Sequence, residues 1–268
     1  MPGDQTDPEG YELRLLRTPV TGPVRRALEE LLGHKGEPWI GDIRRRLAQT
    51  AADLFAVAFH DGRPVSNVWV GRAAGRPQVG LLGHVYTREE HRRHGLSGRL
   101  LQMATAAFSA EGGRWMTLGT GSAGAGRLYR RVGFGDLLGS VAEGHATMLR
   151  PGDAEGLRRE FSAPPGACAV ERLGRDHYPA ACLLLAVWPG GGKLPACEID
   201  TGGEAEHRLL AALDAQEDER RRLFALAEPA RGLVRGLACT AREGLEIYAP
   251  RLDSARLAAF REAADAML

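Results

Sequence analysis

The sequence predicts an α/β chain (α+β, mixed sheet): a sheet carrying helices in a larger first part, followed by a smaller lobe of related plan. Three observations predict it. Apolar stretches of strand length recur before residue 90, two of them joined by the turn dipeptide Asp61-Gly62. A strand then runs through a basic glycine loop into an amphipathic segment. After residue 155 a similar order of elements begins again, and Leu223-Phe-Ala-Leu-Ala227 echoes Leu54-Phe-Ala-Val-Ala58.

Residues 1–10 are polar, contain Pro2 and Pro8, and are expected to be disordered. Apolar and polar side chains alternate over 11–17, a first strand. Thr21 can cap a helix over 23–32, with Val24, Ala27, Leu28, Leu31 and Leu32 on its buried stripe and Gly33 at its end. A loop from His34 to Trp39 leads to an arginine-rich helix over 42–50. Residues 54–60 and 64–70 read as a hairpin around Asp61-Gly62, and a third strand over 78–87 enters the glycine loop.

That loop, His91-Arg92-Arg93-His94-Gly95-Leu96-Ser97-Gly98, opens a helix near Gly95, because Leu96, Leu100, Leu101, Met103, Ala104, Ala107 and Phe108 recur at helical spacing. The first turn of a helix leaves N–H groups without partners at the positive end of its dipole, and Gly95, Ser97 and Gly98 add little bulk there. A phosphate can approach such a backbone closely.

With 268 residues and 44% hydrophobic content, the chain has material for two cores. Pro151-Gly-Asp and Ala163-Pro-Pro-Gly166 punctuate it, which sets domains at 11–154 and 155–268 after the N-terminal 1–10. A net charge of +1 argues against nucleic acid or a membrane surface as partner. No stretch resembles a signal peptide or approaches the roughly 18 apolar residues of a membrane span, so a cytoplasmic protein is expected. Cys168, Cys182, Cys197 and Cys239 show no C-x-x-C spacing, so no zinc site is expected, and buried free thiols are.

Arg92-x-x-Gly95-x-Ser97 resembles the Q/R-x-x-G-x-G/A acyl-CoA loop of the GNAT superfamily of N-acetyltransferases. Downstream, the stretch from Leu118 through Thr120, Ser122, Ala125, Leu128-Tyr129 and Gly133-Phe134 resembles the family's L-x-T-x-N-x-x-A-x-x-L-Y-x-x-x-G-F. One glycine loop is weak evidence, whereas two motifs in order and register are strong. The likeness is detailed over 79–134, holds in outline over 11–150, and leaves out the C-terminal third. A dinucleotide-binding fold is disfavoured, because the loop lacks G-x-G-x-x-G.

The resemblance implies splayed central strands, acetyl-CoA (coenzyme A) as cofactor, and direct transfer of an acetyl group to a primary amine of a small molecule. Residues 11–154 would be the catalytic domain. Backbone groups of Val85, Tyr86 and Thr87 would hold the pantetheine arm as an added strand, and those of Arg93, His94, Gly95, Leu96 and Ser97 the pyrophosphate, with Arg92 and Arg93 pairing with phosphates. Tyr129 matches the tyrosine that protonates the thiolate; a structural tyrosine is its alternative. Ser122 stands where asparagine is usual, keeping a helix cap and losing an amide.

The usual base positions correspond to Leu81 and Gly83, and neither side chain takes a proton. His84 is the remaining titratable side chain on that strand. Alternation points it to the opposite face unless a bulge re-aims it, so a structural histidine is the competing reading. Glu37, Glu143, His145 and an ordered water chain stay open as bases, and Trp39 and Glu37 as acceptor-site residues. Residues 155–268 resemble a degenerate, truncated GNAT-like lobe without the glycine loop, which would pack on the first domain, close the acceptor pocket or form a homodimer interface. A non-catalytic acyl-CoA sensor or interaction protein is the alternative function.

Overall fold

A computed structural model describes residues 7–48, 53–188, 194–195, 198–199, 205–217, 221–242 and 244–268. The expectations for 1–6, 49–50 and Cys197 lie outside them. The first part runs β1 (Tyr11–Arg17), α1 (Gly22–Leu32), α2 (Trp39–Ala48), β2 (Leu54–His60), β3 (Arg63–Ala73), β4 (Arg76–Thr87), α3 (Leu96–Ala110), β5 (Trp115–Thr120), α4 (Ala123–Arg131), β6 (Gly135–Ser140) and β7 (His145–Arg150). Then come α5 (Ala154–Ser162), β8 (Ala169–Arg172), α6 (Tyr178–Val187), α7 (Ala205–Glu217), β9 (Leu223–Glu228), β10 (Leu233–Ala241), β11 (Gly244–Tyr248) and α8 (Ser254–Asp265). The strands form a seven-stranded sheet in the order β1-β2-β3-β4-β5-β7-β6 and a four-stranded sheet in the order β11-β10-β9-β8. The larger sheet is antiparallel except between β4 and β5.

Local chemistry accounts for most boundaries. Asp61 and Gly62 take φ of +49° and +72°, the left-handed pair that a tight hairpin between β2 and β3 requires. Helix α2 starts three residues before its expected position, at Trp39, because Glu37 Oε2 accepts a hydrogen bond from the Gly41 amide at 3.1 Å. Residues 7–10, expected to be disordered, form a turn in which Asp7 Oδ1 accepts from the amides of Glu9 (3.0 Å) and Tyr11 (2.9 Å).

All residues of β2 except its last are buried, since both faces of the sheet are covered. Leu54, Ala56 and Ala58 face α3, while Phe55, Val57 and Phe59 face a larger core that also takes in α1, α2, α6 and α7. Helix α6 has no polar face, and every residue from Tyr178 to Val187 is buried, the pattern of a helix enclosed on all sides. It packs on β10 of the small sheet and β4 of the large one. One continuous core therefore joins Ile43, Phe55 and Trp69 to Leu184, Leu209 and Leu237.

Charge also crosses this junction. Asp42 of α2 accepts from Arg46 Nε at 2.6 Å and from Arg175, which in turn pairs with Asp214 and, at 3.0 Å, with Glu217 of α7. The expectation of four free thiols is corrected: Cys168 and Cys182 are free, whereas Cys239 is disulfide-bonded. Spacing alone could not reveal this, because the bond depends on tertiary approach.

Candidate active site

Strands β4 and β5 pair only from Val79 to Leu81 against Trp115 to Thr117. Beyond those pairs β4 continues to Thr87 and β5 to Thr120 without joining, so the sheet splits at its centre. A cleft of about 430 Å³ extends from this split to the start of α3. Val85, Tyr86, Thr87, Arg92, Arg93, Gly95, Leu96 and Ser97 line it from one side, and Tyr129 with Leu128 and Ala125 from α4.

The loop is shaped for an anion. Gly95 precedes α3 with φ +71°, Arg93 also takes φ +71°, and no side chain caps the helix. The first bond of the helix runs from the Arg99 amide to the Gly95 carbonyl at 3.2 Å, so the amides of Leu96, Ser97 and Gly98 sit at its uncapped end. A Cβ built on Gly95 would meet nothing within 4 Å, which leaves open space over those amides. A hydroxyl chain fixes the floor: Thr87 Oγ1 lies 2.7 Å from Ser66 Oγ and 2.9 Å from Ser97 Oγ. This uncapped, glycine-flanked turn fits a pyrophosphate, and the unpaired edge of β4 fits an extended amide-bearing arm.

Residues 51–135 match the family model described as "Acetyltransferase (GNAT) domain". The chain carries a GNAT domain. Solved structures similar to it include Escherichia coli ElaA (14% identity, covering 52% of this chain and 99% of that one, TM-score 0.44). An acyl-CoA N-acyltransferase from Pseudomonas aeruginosa aligns at 19% identity over 52% of this chain and 99% of its own, with a TM-score of 0.43. Aminoglycoside 6'-acetyltransferase type Ii aligns at 14% identity over 51% and 96%, with a TM-score of 0.42. No curated protein matches the sequence.

Within the GNAT domain two sequence candidates stand off the cleft. His94 Nδ1 lies 2.9 Å from Glu9 Oε2 on the outer side of the loop. The Ser122 hydroxyl accepts from the Ala125 amide at 3.3 Å, so it serves as the cap of α4. His91 and Gly98 line the cleft although the motifs do not single them out. Tyr129 is buried against Phe134, with ring centroids 6.0 Å apart, and desolvation pushes its phenol up to about 12. It therefore stays protonated across the physiological range.

His84 sits in a β-bulge: Asn67 pairs with Tyr86 and Trp69 with Gly83, leaving two β4 residues opposite Val68. Its φ is +51°, and the ring turns to the face of Trp69 (4.9 Å) and Trp39 (6.0 Å). Burial pushes His84 down to about 3, and its Nε2 has no hydrogen-bond partner. A side chain this reluctant to protonate is a poor proton acceptor at neutral pH.

The same face of the sheet carries further groups. Trp39 also stacks near His207 (5.8 Å), and His34 lies over Tyr86 (4.0 Å). Glu37 and Glu143 are taken up elsewhere, Glu37 with Gly41 and Arg44, Glu143 with Ser140 Oγ at 2.8 Å. Glu206, in the first turn of α7, reaches the sheet next to His145: a Cβ on Gly119 of β5 would lie 3.4 Å from its Oε1 and 3.1 Å from the His145 ring. No motif marks Glu206, because it lies outside the GNAT segment and its approach depends on the docking of α7. Among the described residues no cluster of His, Cys, Asp and Glu could hold a metal ion, and no helix is long and apolar enough to cross a membrane.

Proposed function

We propose that this chain transfers an acetyl group from acetyl-CoA to a primary amine of a small molecule. The observation that carries the reading is the cleft running from the uncapped start of α3, past the free edge of β4, to the Tyr129 side chain. The amides of Leu96, Ser97 and Gly98, with Arg92 and Arg93, would hold the pyrophosphate, and the backbone of Val85 to Thr87 would hold the pantetheine arm. The bound thioester supplies an activated carbonyl. Positioning of the amine against it lowers the barrier without a covalent enzyme intermediate. Tyr129, which lines the cleft, would give its proton to the departing sulfur.

The second part of the chain fits a degenerate GNAT-like lobe. Its order β8-α6-α7-β9-β10-β11-α8 runs parallel to β1-α1-α2-β2-β3-β4-α3, and its sheet order repeats that of the first four strands. Where α3 is uncapped, α8 is capped by Asp253, whose Oδ1 accepts from the Arg256 amide at 2.8 Å. A carboxylate seated there repels a phosphate.

A second reading, acyl-CoA binding without turnover, is favoured by Leu81 and Gly83, which leave the usual base positions of β4 without a titratable group. Thiol release from acetyl-CoA in the presence of aminoglycosides, polyamines and amino acids, with mass detection of the acetylated amine, separates the two. Amine-dependent release supports acetyl transfer. Saturable acetyl-CoA binding with no release on any acceptor supports the sensor, and absence of binding sinks both.

A further inference from the structure

Resting on the acetyl-transfer reading, we propose that Glu206, carried by the second part of the chain, accepts the proton that the acceptor amine loses, so that both parts of the chain build one active site. Strand β5 leaves β4 after Thr117, and Gly119 is two residues further on the same face. Gly83, two residues past Leu81, is its counterpart on β4, so each rim of the split carries a glycine at this level of the face. The Glu206 carboxylate lies directly over Gly119, 3.4 Å from where a Cβ would stand. Tyr129 belongs to the core on the opposite, α3 side of the sheet. A base on one face and an acid on the other are what attack from one side and thiol departure to the other require.

Three further observations separate Glu206 from a merely buried carboxyl. Its first-turn backbone is pinned, since Tyr178 Oη donates to the Glu206 carbonyl oxygen at 3.0 Å, yet among the described residues its carboxylate has no hydrogen-bond or ion-pair partner. Two other polar atoms on this rim, His84 Nε2 and Thr117 Oγ1, are buried and also unpartnered, which is uncommon unless a ligand completes them. Finally, desolvation pushes Glu206 up to about 7, the range in which a carboxylate can both take and release a proton at neutral pH. The groups facing it are His145 from β7, Tyr178 and Cys182 from α6, and His207 beside it on α7.

The protons and electrons balance. An ammonium ligand gives one proton to the Glu206 carboxylate, and the freed nitrogen lone pair forms the C–N bond. The C–S bond breaks with its electron pair going to sulfur, which takes the Tyr129 proton. The second proton lost by nitrogen restores the phenol through solvent, and Glu206 then releases its own.

The test compares the parent with Glu206→Gln and Glu206→Asp. For the parent, kcat/KM should fall on the acid side with an inflection near pH 7. Glu206→Gln should lower it by roughly 10² to 10⁴-fold and abolish that inflection, with acetyl-CoA affinity and melting temperature unchanged. Glu206→Asp should keep the inflection at a reduced rate. Independently of turnover, infrared difference spectra of the ligand-free parent should show a protonated carboxyl band that disappears between pH 6 and 8 and is missing in Glu206→Gln. A parent that acetylates amines while Glu206→Gln keeps its rate and inflection overturns the proposal, as does a parent without the titrating band. A parent that acetylates no amine overturns the acetyl-transfer reading itself, and this proposal with it.

Discussion

The ring of His84 lies 4.9 Å from that of Trp69, on the face of β4 that strict alternation would deny it. Leu82 faces the α3 core, Gly83 faces Trp69, and the bulge opposite Val68 places His84 on the Trp69 side again before Val85 returns to the α3 side. Alternation resumes with Tyr86 toward the other core. One extra residue thus turns a titratable side chain toward Trp69 and Trp39 and simultaneously buries it, and burial disfavours its cationic form.

His84 should therefore report itself in stability. Its folded-state pKa lies near 3, below the ordinary 6.5, so the native state binds fewer protons than the unfolded chain between those values. Stability is complete above pH 6.5 and is lost as pH falls through this window, by up to about 1.4 kcal/mol per pH unit. Urea unfolding of the parent and His84→Leu from pH 7.5 to 4.5 checks this: the variant should lose less stability on acidification, and parallel curves would contradict it. The acid-side inflection of kcat/KM should survive in the variant.

Gly95→Ala and Gly95→Glu should separate strain from charge. At φ +71° any side chain is strained, by roughly 1 to 2 kcal/mol, although a Cβ meets no neighbour within 4 Å. Alanine should thus weaken acetyl-CoA binding modestly. Glutamate adds a negative charge over the helix start and should abolish measurable binding by calorimetry. Equal affinities for the two variants would place the pyrophosphate elsewhere.

For Tyr129→Phe, turnover should fall by roughly 10² to 10⁴-fold while acetyl-CoA affinity stays within about twofold, the mark of a proton donor. Because its phenol titrates near 12, no basic limb below about pH 11 should belong to it. A variant that turns over like the parent would make Tyr129 a packing residue for Phe134.

Much of this was legible in the sequence for a physical reason. Alternation over Tyr11 to Arg17, the left-handed pair Asp61-Gly62 and the uncapped glycine start of α3 are local features, fixed by neighbours in the chain. Val85 to Thr87, Gly95 and Tyr129, singled out by the family resemblance, all line one cleft. What stayed hidden, the Cys239 disulfide and the arrival of Glu206 over Gly119, depends on tertiary approach. The bulge that re-aims His84, one of two readings the sequence left open, is decided by strand register. The punctuation near residue 155 is real as a break between elements, yet the core runs continuously across it, because an apolar run such as Tyr178 to Val187 does not declare what will cover it.

That shared core yields the last prediction, that the two sheets unfold together. Helix α6 is buried between them, so separating the parts exposes the side of it that packs on the large sheet, together with Trp69, Leu81 and Trp115. Arg175 adds an ionic tie: 8% exposed, it pairs with Asp42 on α2 and with Asp214 and Glu217 on α7. Arg175→Met would leave Asp42 with Arg46 alone and remove the partner shared by both parts, a loss of about 1.5 to 3 kcal/mol for charge-assisted hydrogen bonds given up. Urea unfolding followed by tryptophan fluorescence and by far-ultraviolet circular dichroism should give coincident single transitions for the parent, shifted to lower urea in the variant. A fragment ending at residue 154 should fail to give a cooperative transition, since its α6-facing surface would meet water. Two resolved transitions in the parent, or a cooperatively folded fragment, would show instead that the large sheet stands on its own and that α6 merely rests against it.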